Sequence, residues 1–348
     1  MKRFAVSLFI AGALIIFTAA SSIQLQPEHQ AYMMFLGLET ADDGNIRISA
    51  LCPKIAGESQ SEYQLFQCDG SSVSTAFQTL ERSITRHVVY VQLKALLMTP
   101  DFAASEQMNE LVYYLQLGAE YYSDAWLMIC DRPPSSFLAD YRPAIGTRLS
   151  SSIQASMVNS LKLNTVPDVH LADLLDGWQG IGGDIPAIAC TIENYGKNTS
   201  IHPEGAWLFS AHQPSLQLNA EETALLNWLR GDMGNIQLTN AGDVVHLSPE
   251  LPPKVRFDTE RGKIVVSGHF VQHQLSGSML RSQVQYLLED RLLQLLEKCR
   301  AAGSEPFRFS EYAAGTCLTL KQFLDWDFPA FYRNCEFDFH ARIRNELT

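Results

Sequence analysis

Three observations predict an α+β chain, built as successive mixed α/β domains whose antiparallel or mixed sheets are packed by helices. β-like runs and helical stripes are interspersed without the regular spacing of βαβ units. The segment 282–302 repeats Leu288, Leu292, Leu295, Leu296 and Cys299 at helical intervals, and "CEFDFHARI" then alternates apolar with polar side chains. The stretch "NYGKNTSIHPEG" is polar and broken by Gly and Pro, and it is the expected boundary in mid-chain. The expected organisation is therefore a leader over 1–22, an N-terminal α+β region over 23–197 with room for two subdomains, and a C-terminal α+β domain over 198–348.

Taken in order, "AYMMFLGLE" and "NIRISALCP" are β-like runs separated by the turn formers of "TADDG", which predicts a hairpin. "SSVSTAFQTLERSI" comes next, with serine N-caps and with Val73, Ala76, Phe77, Leu80 and Ile84 on one helical stripe. "HVVYVQLKALLMT" is a continuous apolar run and predicts one strand buried on both faces. "EQMNELVYYLQLGAE" is amphipathic and "AWLMIC" strand-like, before a break at Pro133 and Pro134. Residues 135–178 are expected to be largely helical, with "TRLSSSIQASMVNSL" and "DVHLADLLDGW" joined by a turn at Pro167. The loop "GWQGIGGD" leads to a strand in "IPAIACTIE".

"GAWLFS" and "PSLQLN" predict a hairpin that runs into the helix "AEETALLNWL". Asn219 and Glu222 have the spacing of a capping box, and Gly231 supplies the left-handed stop. Leu225, Trp228 and Leu229 share one face, beside Leu226, so packing accounts for this element. "KVRFD" and "KIVVSGHFVQ" alternate around "TERG", and the long helix and the terminal strand complete the pattern, with Glu336, Asp338, His340 and Arg342 on the wet face.

At 348 residues the chain exceeds what one core usually organises. It is 46% hydrophobic and 18% charged, which argues against disorder, and its net charge of -12 argues against nucleic acid and anionic lipid surfaces as partners. The opening "MKRFAVSLFIAGALIIFTAA" joins Lys2 and Arg3 to an apolar run and ends on small residues, the layout of a signal peptide or N-terminal membrane anchor. The chain beyond residue 22 is then expected outside the cytoplasm. The seven cysteines are odd in number and contain no CxxC, which leaves pairing open but removes a zinc knuckle or thioredoxin-type pair.

Chemical signatures are weak. Gly177, Gly180, Gly182 and Gly183 form a glycine-rich loop, but it comes after a helix and precedes a strand, the reverse of a phosphate cradle. His269 and His273 share a face on a strand or a helix but lack a third ligand nearby, so they are expected as two solvated histidines. No GxSxG, SxxK or HExxH is present, and the serines at 150–152 sit in an amphipathic stripe. Glu221 and Glu222 fit helix N-terminal charge, and Asp325 and Asp327 a polar loop. The "NTS" at 198–200 fits a glycosylation sequon. No catalytic, cofactor-binding or metal-binding residue is assigned, and no cofactor is expected.

The stretch "GAWLFSAHQPSLQLNAEETALLNWLRG" resembles the signature of the Ger(x)C family, the C subunits of bacterial spore germinant receptors. Asn219, Glu221, Glu222, Asn227, Trp228, Leu229 and Gly231 carry the match. "SSVSTAFQTLERSITRHVVYVQLKALLMTPDFA", with Arg86, Tyr90 and Lys94, is similar to another part of the family pattern, and the resemblance is diffuse outside 205–231. Two departures stand out. Ser21 and Ser22 occupy the place of the family's lipid-bearing cysteine, and the first cysteine is Cys52, so lipidation has no thiol to use. "SEPFRFSEY" lacks the turn residues usual before the closing segment.

The resemblance implies a non-enzymatic, extracytoplasmic subunit at the outer face of the spore inner membrane, working with integral-membrane A-type and B-type subunits in nutrient-triggered germination. Its anchoring would rest on segment 4–20 or on those partners. It transfers no ligand-binding residues. The alternatives are a stand-alone extracytoplasmic protein that binds solutes or cell wall and, from a third class, an exported hydrolase.

Overall fold

The computed structural model describes residues 29–54, 63–118, 124–140, 149–178, 180, 184–195, 198–210, 213–273 and 279–346. The leader over 1–22 lies outside them. Among the described residues no helix is long and apolar enough to cross a membrane.

The first sheet has eight strands. In chain order they are β2 (Phe35–Thr40), β3 (Ile46–Pro53), β4 (Tyr63–Gly70), β6 (Ala95–Met98), β7 (Trp126–Cys130), β8 (Pro186–Tyr195), β9 (Asn198–Ser210) and β10 (Gln213–Leu218), and across the sheet they run β10-β9-β8-β7-β6-β2-β3-β4. The centre, β8-β7-β6-β2, is parallel, and antiparallel pairs flank it on both sides. Parallel strands need covered faces. Leu36, Leu96, Leu127 and their neighbours meet α1 (Val73–Ser83), α3 (Gln107–Leu117) and α6 (Leu171–Gly177) in one core. Phe35, Leu97 and Met128 point the other way, into a second core with α4 (Pro134–Asp140) and α5 (Leu149–Lys162). Burial on both faces explains the continuous apolar runs. A short α2 (Pro100–Ala103) comes after β6.

The run 87–99 is not one strand. It divides into β5 (His87–Val89), paired in parallel with β1 (Gln30–Tyr32), and β6, because a turn closed by Leu93 N–H to Tyr90 C=O exposes Val91 between them. An apolar run cannot by itself show such a turn.

The second sheet contains β11 (Ile236–Asn240), β12 (Asp243–Pro249), β13 (Lys254–Asp258), β14 (Lys263–Gln272) and β15 (Glu336–Asn345), in the order β11-β12-β14-β13 with β15 also on β14. β14 and β15 pair in parallel from Lys263↔Glu336 to Gln272↔Asn345. One face is buried against α7 (Ala220–Leu229) and α8 (Arg281–Ala301), with α9 (Phe309–Thr316), α10 (Leu320–Asp325) and α11 (Phe328–Asn334) completing a third core.

The division expected between 197 and 198 falls inside a hairpin, since β8 and β9 pair from Tyr195↔Asn198 onward. Polar, glycine-bearing sequence suits a hairpin as well as a linker. The chain changes sheet only after Leu218, through α7.

Candidate functional site

α7 joins the two sheets. Asn219 Oδ1 accepts from Glu222 N–H at 2.9 Å and Glu222 Oε2 from Asn219 N–H at 3.0 Å, closing the capping box. Gly231, with φ +103°, ends the helix. Every residue from Thr223 to Leu229 is buried, so the single apolar face expected from sequence is replaced by burial all round. Two faces pack on two different things. On one, Trp228 lies 4.9 Å from Phe270 and 5.8 Å from Phe339, ring centre to ring centre, and fits only because Gly268 has no side chain: a Cβ there would come within 2.5 Å of the indole.

On the other face, the Asn227 amide donates to Asn164 Oδ1 at 2.8 Å and to the Val166 carbonyl at 2.9 Å, while Asn164 donates to the Asn235 carbonyl at 3.1 Å. This buried amide pair ties the end of α5, in the first unit, to both ends of the α7–β11 passage. Nearby, Gly205 has φ +88° and donates to the Thr165 carbonyl, and a Cβ there would lie 2.3 Å from the Leu218 oxygen. The helix also holds α8, through Lys298 to Glu222 at 2.7 Å and Arg291 to Glu221 at 3.3 Å.

A second set of links comes from the connector between α8 and α9, residues 302–308. Ser304 Oγ donates to the Phe209 carbonyl at 2.6 Å, and Ser210 Oγ to the Gly303 carbonyl at 2.9 Å. Glu305 N–H donates to Asp184 Oδ2 at 2.8 Å, and Asp184 N–H to the Glu305 carbonyl at 2.9 Å. Arg230 reaches the Pro306 carbonyl at 2.6 Å, and Tyr332 Oη donates to the Ser304 carbonyl at 2.9 Å.

The Glu305 carboxyl is buried and faces the start of α9. It accepts from the N–H groups of Phe307, Phe309 and Ser310 and from Ser310 Oγ at 2.9–3.2 Å. It caps α9 where the N-cap residue, Arg308, is left-handed and offers no side-chain cap. Burial pushes this carboxyl up to about 7, against the pull of the hydrogen bonds from Phe309 and Ser310. Burial likewise raises the Tyr332 phenol and brings the Arg230 guanidinium down to about 10.

Between the connector and the first sheet lies a cavity of about 580 Å³. Trp178, Ile185 and Phe209 wall it from the first unit, and Phe323, Phe328 and Tyr332 from the second. Asp184, Glu305 and Ser310 line it, with Leu324, Asp327 and Arg333 also on its wall. Ser310 Oγ donates to Glu305, and no histidine is among the described residues that line the cavity.

The residues singled out in sequence are scattered relative to this cavity. Gly177 and Gly180 line it, while Gly182 and Gly183 fall outside the described residues. At Gly177 a Cβ would come within 2.5 Å of the end of the Ile185 side chain, which would have to move aside. His269 and His273 are both half-buried, and His273 lies between Ser248 Oγ at 2.6 Å and Glu346 Oε2 at 2.9 Å, so it is anchored while part of its ring stays exposed. Among the described residues, no group of three or more His, Cys, Asp or Glu could hold a metal ion.

Ser151 and Ser152 lie on α5, and the sequon lies on β9. Asp327 is more than a loop residue: its side chain caps α11 at Ala330 N–H from a left-handed backbone, φ 49°. Tyr90 is buried against Phe77, and the Lys94 backbone bridges Met34 and Trp126. All seven cysteines are free thiols, with Cys130 and Cys190 in register on adjacent strands.

The elements that build the cavity's far wall went unread. α9, α10 and α11 are short, and only the aromatic density of 307–332 hints at a buried surface there. Glu305 gave no signal, since a lone glutamate before Pro carries no period.

Residues 24–190 match the family described as the spore germination protein N-terminal domain. That match runs from before β1 to the middle of β8 and stops before 205–231, so it lies where the sequence resemblance is diffuse. The crystal structure of the GerBC protein is similar over 90% of this chain and 97% of that one, with a TM-score of 0.52 at 12% identity, which speaks for a common fold. No curated protein matches the chain in sequence.

Proposed function

Because this chain belongs to the Ger(x)C family of spore germination proteins, we propose that it is the C subunit of a germinant receptor, acting by binding and assembly and not by catalysis. In this reading it works outside the cytoplasm, at the outer face of the spore inner membrane, together with integral-membrane A-type and B-type subunits. Attachment depends on segment 4–20 or on those subunits, since no cysteine stands before Cys52.

The observation that carries the reading is the pairing of a family match over 24–190 with a fold likeness that extends through nearly the whole chain. Deleting the gene in its sporulating host should abolish or slow nutrient-triggered germination, with recovery on complementation. Unchanged germination in a host without a paralogue overturns the proposal. Affinity isolation from spore membranes should bring down multi-span partners, and isolation of the chain alone would favour the stand-alone solute- or wall-binding alternative.

A further inference from the structure

We propose that the leucine-bearing tip formed by the end of α9 and by α10 enters the surface of a lipid bilayer and holds the chain against it. The inference rests on the part of the receptor reading that places the chain at a membrane. Its test on plain vesicles uses no receptor subunit, so the two fail separately.

The apolar side chains of the tip face water. Leu318 is 91% exposed, the highest value for a large apolar side chain among the described residues, and Leu320 and Leu324 are 61% and 62% exposed. All five residues from Leu318 to Gln322 are exposed, so the tip projects from the surface. Leu320 and Leu324, four apart on α10, share one face. Phe323 is buried and stacks on Phe328 at 6.3 Å, while Trp326 meets Phe257 edge to face at 5.6 Å. These two rings fix α10 to the second core, and the three leucines take no part in that core.

The backbone of the tip is already engaged within it. Gln322 Oε1 accepts from Leu318 N–H at 2.8 Å and from Thr319 N–H at 3.3 Å, and Thr319 Oγ1 accepts from Gln322 N–H at 3.3 Å. Thr316 Oγ1 donates to the Ala313 carbonyl at 2.7 Å. Amides held in this way cost less to take out of water than free ones.

Charge fits a neutral lipid surface. Lys321 is the one charged residue between Tyr312 and Leu324. Over 308–333 the cations Arg308, Lys321 and Arg333 match the carboxylates Glu311, Asp325 and Asp327, so this region does not share in the net charge of -12. A lysine beside the leucines lays its stem along the apolar layer and its ammonium among headgroup phosphates.

A folded protein partner fits the tip less well. Three leucines offer only about half of the roughly 800 Å² that each side of a stable protein interface buries. Leucine is also scarce among the residues that dominate such interfaces, where Trp, Tyr and Arg prevail. A bilayer asks for no matching surface.

The test replaces Leu320 by Trp in the full chain, which is mixed with phosphatidylcholine vesicles whose acyl chains carry bromine, a short-range quencher of indole emission. Segment 4–20 can itself hold the chain to a vesicle, so the readout is local to the tip. Leu117→Trp, at a side chain 70% exposed on α3, is the matched control. With the parent's emission subtracted, the indole of Leu320→Trp should be quenched at least about twofold more than that of Leu117→Trp. Adding Leu318→Asp to Leu320→Trp should remove most of the difference, with melting curves to show that the double variant folds.

Equal quenching of the two indoles overturns the proposal, and so does quenching that Leu318→Asp leaves unchanged. Should the double variant unfold, the comparison of the two single variants decides. An indole at 320 that ignores vesicles and responds only to membranes carrying multi-span receptor subunits would assign the tip to a protein partner and overturn lipid insertion.

Discussion

The two sheets solve the same burial problem in opposite ways. The first is covered by helices on both faces, and its central strands carry apolar side chains on both, as in Ala95–Met98, where all four residues are buried. The second alternates: along β14 every second residue is buried and the rest are half-exposed. The second sheet meets the first unit through α7 and the 302–308 connector, and the cavity lies at that connector, walled by Trp178 and Phe209 on one side and by Phe323, Phe328 and Tyr332 on the other.

That comparison can be broken at the indole first. Trp228→Ala should destabilise the chain by roughly 3–5 kcal/mol, because a fully buried ring is removed from a core that closes around Gly268. Urea unfolding measures it, and a loss below about 1 kcal/mol would mean that the second sheet does not depend on α7.

Asn227→Ala should cost less, up to about 3 kcal/mol, by stranding Asn164 Oδ1 and the Val166 carbonyl. It also sharpens the comparison. If the amide pair couples the units, the variant should unfold in two steps, visible as non-coincident fluorescence and far-ultraviolet transitions, where the parent unfolds in one.

The Glu305 carboxyl predicts a pH dependence on the order of 2 kcal/mol. Its value in the folded chain, about 7, is raised above the ordinary 4.5, so its stabilising contribution is complete below about 4.5 and is lost as pH rises through 7. The stability difference between the parent and Glu305→Gln should therefore shrink from pH 4.5 to 7.5, and a flat difference would refute the assignment. Smaller still, Asn219→Ala should cost about 1 kcal/mol through the lost cap. Arg47→Ala, which breaks an exposed pair with Asp69 at 2.8 Å, should cost less than about 1 kcal/mol, measured by the same titration.

The same contrast explains what could be read from sequence. Alternation marked β13, β14 and β15 because their wet faces are written in the chain as polar residues. Continuous runs marked β6 and β7 but concealed the turn at Val91, since a two-faced strand has no polar side to interrupt. The capping box of α7 was legible to the residue, and its all-round burial was not: Asn227 looks like a solvent-facing residue until Asn164 is brought to it by the fold. β4 and the β11–β12 hairpin were missed, and so were α9 to α11, each too short to show a period. Half of the cavity's lining lies on those helices and on Glu305. The glycine loop was set aside as a phosphate cradle from its order in the chain, and Gly177 in it leaves Ile185 room beside the aromatic wall.

The parallel pairing of β14 with β15 has a consequence in time. Four helices, α8 to α11, separate the two strands in the chain, so β14 emerges from the ribosome or an export pore with one edge unpaired and stays so until all four have emerged behind it. A pairing that closes so large a loop is slow. Through that interval the half-made sheet is a template for other extended chains, and a helper that shields one strand edge would raise the yield of folded protein more than any single contact in the finished molecule.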